Sequence, residues 1–239
     1  MSKSILERSG SSPAKITMIS LLPNLLAVTL ILAAILFISA GRLDWLQAWA
    51  FVLAFGGFLT FYGLWGVRND QAQLNERSKG GQNTKSWDKV ILTTYTLLLI
   101  GMLILAGLDA GRFRWAPAPL ILQGLGWLGT AFAGFMVSWT ASVNTFLSRT
   151  VRIQDDRGQH VIDTGPYSWV RHPMYLGVIV LMISISLLLG SLWALIPGAM
   201  IGILFTVRAA LEDRTLQQEL PGYPEYASRV RCRLFPGIW

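Results

Sequence analysis

The chain has little charge. Asp, Glu, Lys and Arg make up 14% of its 239 residues while hydrophobic residues make up 53%, a balance that excludes an ordinary soluble domain and suits a chain solvated mostly by lipid. It has even less of the chemistry that holds metals. Cys232 is the single cysteine, and His160 and His172 are the two histidines. One thiol excludes an intramolecular disulfide, and with no His-Glu or Cys-Cys spacing of the zinc type no protein-bound metal is expected. Internal repeats, low-complexity tracts and a soluble second domain are also missing. The net charge of +7 falls in short clusters between apolar runs instead of one basic stripe, which argues against nucleic acid as a partner.

What the chain does have is length without charge. Ile16 to Ala40 and Trp45 to Val67 are uncharged runs of 25 and 23 residues, each enough for the roughly 20 residues that cross a hydrocarbon core as helix. Val90 to Leu108 makes a third span and Leu120 to Val143 a fourth. The first run is longer than the ~7 to 15 apolar residues of a signal peptide, so it reads as an uncleaved anchor. Pro173 to Val207 is uncharged for 35 residues and is interrupted at Gly190-Ser191 and at Pro197-Gly198, which predicts a helical hairpin with short arms, re-entrant or thinning the bilayer. Leu211 to Val230 is charged, and reads as an interfacial helix broken at Pro221-Gly222 and resumed near Pro224.

The predicted fold is therefore an all-α integral membrane protein with four long transmembrane helices, a C-terminal helical hairpin and an interfacial C-terminal helix. Residues 1–119 hold the first three spans and their loops. Residues 120–239 hold the fourth span, a polar loop, the hairpin and the C-terminal segment, all within one membrane domain. Loops kept in the cytoplasm are enriched in Lys and Arg. With the N-terminus inside, 17 of the 20 basic residues fall on the cytoplasmic side, and only Arg42, Arg112 and Arg114 lie opposite. The polar clusters at Asp155 to His172 and Arg208 to Asp213 then share the cytoplasmic face, and the hairpin brings them together.

Arg171-His172-Pro173 by itself fits the start of a membrane helix, with Pro173 in the first turn and a snorkelling arginine. Arg208, Glu212 and Asp213 by themselves fit an interfacial salt-bridge cluster. Together they suggest a site. Arg171 and His172 at a helix N-terminus suit a carboxylate, and Glu212 or Asp213 suits a ribose diol or an opposing cation. S-adenosylmethionine carries a carboxylate, an ammonium, a sulfonium and a ribose.

From Asn144 onward the order of signals resembles the catalytic half of the isoprenylcysteine carboxyl methyltransferase family and of related phospholipid methyltransferases. The pattern runs through Asn144, His160, Gly165 with Tyr167, and Arg171-His172-Pro173 with Tyr175 and Gly177. It continues with Arg208 before Glu212-Asp213, and with Tyr223, Tyr226 and Pro236. Two positions depart from the family pattern: the acidic pair is Glu-Asp in place of Glu-Glu, and Thr145 follows Asn144 where eukaryotic members have His. The resemblance implies an S-adenosylmethionine-dependent methyltransferase acting on a lipophilic or lipidated acceptor at the cytoplasmic face of a multi-pass membrane protein, of the bacterial inner-membrane type. It implies cofactor binding by His160, Gly165, Tyr167, Arg171, His172, Pro173, Tyr175, Gly177, Glu212 and Asp213, and catalytic roles for Arg208, Glu212 and Asn144. Phosphatidylethanolamine N-methylation is the alternative reaction. A lipid-binding or transport protein without catalysis is the alternative of another class.

Overall fold

A computed structural model describes residues 16–78 and 84–239. Lys3, Arg8, Lys15 and Lys79, four of the basic residues in the orientation count, lie outside the described residues. The rest is an all-α membrane protein. Its helices are α1 (Met18–Ala40), α2 (Leu46–Asn69), α3 (Gln71–Ser78), α4 (Ser86–Ala106), α5 (Leu120–Val143), α6 (Pro173–Leu188), α7 (Leu195–Glu219) and α8 (Tyr223–Arg229). Among the described residues, no strand forms beyond an isolated bridge between Pro117 and Ser191.

Among the described residues, five helices are long and apolar enough to cross a membrane: α1, α2, α4 with its extension, α5 and α7. The fifth comes from the hairpin, whose arms are unequal. α6 is 16 residues long, as the sequence suggests, but α7 runs for 25 without a break. The interruption expected at Pro197-Gly198 does not occur, because Pro197 falls in the first turn of α7, where a missing N–H costs no intrahelical bond. The charged stretch from Leu211 onward is likewise the end of α7 and not a separate interfacial helix. The break expected at Pro221-Gly222 is present, with Gly222 in the left-handed region at φ 80°, and α8 follows it.

α4 also differs from the expected third span. It starts at Ser86, which brings Asp88 into its first turn, and it continues into a π-helical segment at Gly107–Phe113. Gly111 in that segment touches α1: a Cβ there would lie 2.5 Å from the Cβ of Ala40. The wide π turn swings Asp109 inward. Its carboxylate is fully buried and accepts from the Ser191 hydroxyl at 2.6 Å and the Ala116 N–H at 2.7 Å. With the backbone bonds Ala118 N–H to Gly190 O and Leu192 N–H to Ala116 O, it fastens the end of α4, the start of α5 and the α6–α7 turn into one cap.

Packing runs in an arc whose ends meet through side chains, Gln47 on α2 donating to Gln123 on α5 at 3.3 Å. α2 lies on α1, α1 on α4, α4 on α7, α7 on α6 and α6 on α5. The α5–α6 pair is the tightest, because Gly126 lets the backbones meet; a Cβ there would lie 2.5 Å from the Leu188 nitrogen. Leu36, Phe37, Phe51, Met102, Met182, Ile201 and Phe205 fill the core. Outward residues such as Leu30, Leu53, Leu97, Leu128 and Ile203 remain exposed, as they must when the solvent is hydrocarbon. The arc sends the end of α5, the start of α6 and the end of α7 to one end of the bundle, opposite the Asp109 cap.

Candidate active site

At that end a cavity of about 540 Å³ opens between α3, α4, the loop after α5, the start of α6, and α7 and α8. Its polar wall includes Asn144, His160, Tyr167, Arg171, His172, Pro173, Tyr175, Arg208, Glu212, Tyr223 and Tyr226. Its apolar end is formed by Leu92, Tyr95, Thr96, Val178 and Phe205. Asp213, Gly165 and Gly177 are absent from this lining.

Arg208 sits on α7, deep in the site. Its Nε donates to Asp88 Oδ1 at 2.8 Å and its Nη2 to Asp88 Oδ2 at 3.2 Å, with a further bond to the Arg149 carbonyl at 2.9 Å. The second oxygen of Asp88 also accepts from the Val151 N–H. Asp88 is fully buried and Arg208 nearly so, so each charge depends on the other for stabilisation that water would otherwise supply. The guanidinium lies 5.2 Å from the centroid of the Tyr175 ring and 5.7 Å from that of Phe205. Tyr175 in turn stacks on His172, with centroids 5.6 Å apart and planes 5° from parallel, and its hydroxyl donates to Glu212 Oε2. Glu212 is the one carboxylate among the lining residues.

Arg171 lines the cavity, but its guanidinium is bonded to protein. Nε and Nη2 form a two-point pair with Asp213 at 2.7 and 3.0 Å, and Nη1 donates to the carbonyls of Val230 at 2.7 Å and Arg231 at 3.0 Å. The backbone N–H groups of Arg171 and His172 are taken by the Cys232 and Arg233 carbonyls. The two backbone donors are therefore engaged by the C-terminal segment and the Arg171 guanidinium by Asp213 and that segment, while His172 Nε2 comes no nearer than 3.5 Å to Asp213 Oδ1. Asp213 is the hub of this closure. It is fully buried and also accepts from Gln217, Tyr223 and Arg233. Its shorter side chain, relative to a second Glu, suits a carboxylate that points into protein instead of cavity.

A second polar group closes the other side. The Asn144 amide donates to the Tyr167 hydroxyl at 2.7 Å, and the Tyr226 hydroxyl donates to the Tyr167 carbonyl at 2.7 Å. Burial pushes the Tyr167, Tyr223 and Tyr226 phenols well above the ordinary phenol value, so all three stay protonated donors. His160 is exposed at the rim, edge-on to Phe146 at 5.0 Å. Gly165 turns the chain at φ 58° beside Trp139 and Val143, and Gly177 faces α5 near Ala133 and Val137. Both shape the wall from behind.

Sequence reasoning missed Asp88 and Gln73. Gln73 is buried and donates to the Ala141 and Asn144 carbonyls at 3.1 and 2.9 Å, so it anchors α3 to the end of α5. Asp88 had a usable signal, as an acid at the mouth of an apolar run opposite an arginine at the mouth of another. No group of three or more His, Cys, Asp or Glu side chains gathers as metal ligands among the described residues.

Comparisons with known proteins bear on the same segment. Over 147 residues the chain is 30% identical to the cobalt-zinc-cadmium resistance protein CzcN of Cupriavidus metallidurans, an alignment covering 56% of this chain and 59% of that protein. Residues 127–218 match the model of the isoprenylcysteine carboxyl methyltransferase family; they run from α5 to the last turn of α7 and include Asn144, His160, Arg171, His172, Tyr175, Arg208 and Glu212. The resemblance seen in the sequence motifs is borne out over residues 127–218, which are similar to the isoprenylcysteine carboxyl methyltransferase family.

Proposed function

We propose that the protein transfers a methyl group from S-adenosylmethionine to a lipophilic acceptor at the cytoplasmic face of a bacterial inner membrane. The observation that carries this reading is the two-ended cavity, which has the family's motif residues at its polar end and Leu92, Tyr95, Val178 and Phe205 at its apolar end. One end suits a water-soluble donor and the other a lipid tail.

The side chains present fit the donor. Glu212, held by the Tyr175 hydroxyl, is an acceptor for a ribose diol or an ammonium. The stacked rings of His172 and Tyr175 offer a flat face for a purine or a cation. When bound, S-adenosylmethionine would supply an electrophilic methyl group on a positively charged sulfur. The protein's part is alignment and the exclusion of water. Tyr175 fixes the Glu212 carboxylate, Asp88 fixes Arg208 beside them, and Tyr95 and Phe205 close the apolar side. A carboxylate acceptor needs no base, and Arg208 is the cation near enough to orient it. An amine acceptor, as in phosphatidylethanolamine N-methylation, must lose a proton, and Glu212 and His160 are the cavity groups able to accept one.

Titration of the purified protein in neutral detergent with S-adenosylmethionine tests the reading directly. Saturable binding is expected, with radiolabel passing to prenylated or phospholipid acceptors in preference to their headgroups without tails. Each buried methylene adds roughly 0.8 kcal/mol of partitioning free energy. Absence of both binding and transfer would favour a lipid-binding or transport protein.

A further inference from the structure

Five arginines line the cavity against a single carboxylate, that of Glu212. Three of them already have acidic partners: Arg152 with Glu76 at 2.7 Å and Asp156 at 2.9 Å, Arg171 with Asp213, and Arg208 with Asp88. Arg77 and Arg149 pair with no carboxylate among the described residues. Arg77 is nonetheless held in place. Its guanidinium lies over the Tyr62 ring, 5.3 Å from the centroid, and donates to the Tyr62 hydroxyl. That hydroxyl donates to Gln73 at 2.8 Å, and buried Gln73 is bonded to the end of α5. Arg149 lies in the loop just beyond, where its carbonyl accepts from Arg208. Arg149 is exposed at the cavity mouth, and desolvation together with the neighbouring Arg77 charge lowers its guanidinium from the ordinary value.

Two neighbouring cations lining one cavity, Arg77 held and Arg149 free to turn toward it, are best matched by the oxygens of a phosphate or carboxylate. The location says which molecule carries it. The apolar end of the cavity lies along α4 and α6, and Thr96 on that side is exposed. An amphiphile whose tail lies there has its headgroup at the level of the loop that carries Arg149 and of α3 with Arg77. Glu212 and Tyr175, the groups suited to the donor, sit on α7 and α6.

We propose that Arg77 and Arg149 form a subsite for an anionic oxygen group, phosphate or carboxylate, carried by the methyl acceptor. This rests on the methyl-transfer reading above and narrows its substrate to an acidic or phosphate-bearing amphiphile. The subsite selects by charge and the apolar end by length, while Arg208, already paired with Asp88, orients the group that accepts the methyl.

The test measures binding, apart from turnover. The purified full chain in neutral detergent is titrated with three probes: dioctanoylphosphatidic acid, N-acetylfarnesylcysteine and uncharged dioctanoylglycerol. S-adenosylmethionine is titrated alongside. The wild-type protein should bind one or both anionic probes at least about tenfold more tightly than dioctanoylglycerol, the scale of one charge-assisted hydrogen bond. Which probe gains identifies phosphate or carboxylate as the group. Arg149→Gln, whose side chain makes no hydrogen bond that the fold relies on, and Arg77→Gln should each abolish most of that gain, with Arg149→Lys retaining part of it. Affinity for S-adenosylmethionine and for dioctanoylglycerol should not change. Equal wild-type affinity for all three probes would overturn the subsite. So would a parallel loss of S-adenosylmethionine affinity in the Gln variants, which would assign the arginines to the donor's carboxylate. Anion-dependent probe binding without any S-adenosylmethionine binding would leave the subsite standing and remove the methyl-transfer reading instead.

Discussion

Arg208 and Asp88 stand 120 positions apart and form a buried two-point ion pair at 2.8 and 3.2 Å. This pair joins α7, which lies mostly in the segment that matches the family, to α4, which the match does not reach. The N-terminal spans therefore do more than anchor the chain. They supply the counter-charge of a cavity arginine and fix where its guanidinium lies.

Removing one partner should expose this dependence. Asp88→Asn leaves the Arg208 charge buried without compensation, a change that costs about 3 to 5 kcal/mol in comparable pairs. Thermal unfolding in detergent should fall sharply for Asp88→Asn. The double variant Asp88→Leu, Arg208→Met should recover much of the stability but none of the methyl transfer. Normal stability in the single variant would show that the pair carries little energy.

Glu212→Gln keeps the shape of the cavity's carboxylate but removes its charge. Binding of S-adenosylmethionine should weaken by about tenfold or more, the scale of a charged hydrogen bond, while thermal unfolding stays close to wild type. Tyr175→Phe should show a smaller loss in the same direction, because Glu212 remains but is no longer held.

Arg171→Ala should act through the C-terminal segment. The carbonyls of Val230 and Arg231 lose their donor and Asp213 loses its main partner. Hydrogen exchange across residues 230–239 should accelerate, together with weaker cofactor binding. Arg171→Lys, with one donor point in place of a fork, should not restore protection. Unchanged exchange with lost binding would return Arg171 to direct contact with the cofactor.

The three buried phenols give a pH dependence with a definite sign. Tyr167, Tyr223 and Tyr226 have values raised above the ordinary 10.0, so above that pH the unfolded chain releases protons that the folded chain keeps. Their stabilising contribution is complete below about pH 10 and is lost as pH rises beyond it. Each contributes a slope of about 1.4 kcal/mol per pH unit. Alkaline unfolding of Tyr226→Phe should show a shallower slope than wild type, with no difference between the two in slope near pH 7.

Orientation can be checked in intact cells carrying Cys232→Ser. Asp44→Cys, at the end of the bundle that holds the Asp109 cap, should react with a membrane-impermeant thiol reagent, and Asp163→Cys, near the cavity, should not. The reverse pattern would invert the topology.

Much of this architecture was legible because lipid imposes a simple rule, that uncharged stretches of sufficient length become helices. α1 and α2 begin and end within about two residues of the uncharged runs, α5 covers the expected fourth span, and most of the motif residues from Asn144 to Glu212 line one cavity. The errors have physical causes. Pro197 looked like a break, but its cost depends on its place in a helix, and in the first turn that cost vanishes. Leu211 to Glu219 looked like a surface helix because charge was read as water, whereas Asp213 spends its charge inside the protein. The partnership of Asp88 with Arg208 left no trace in spacing, since a pairing across 120 positions is a property of how helices pack and not of either run alone. Arg171 was recognised as important, and what the sequence could not convey is that its donors close a wall.

The Asp109 cap at the far end has a mechanical consequence. It rivets α4, α5 and the α6–α7 turn together at one end of the bundle, while the opposite end encloses a hollow. The hollow end is tied as well, by the Asp88–Arg208 pair and by Lys85 to Glu219 at 2.7 Å in the last turn of α7. α7 is thus braced against its neighbours at both ends, like a beam in a truss, and the width of the hollow is set by the reach of those side-chain struts and not by the stiffness of any one helix.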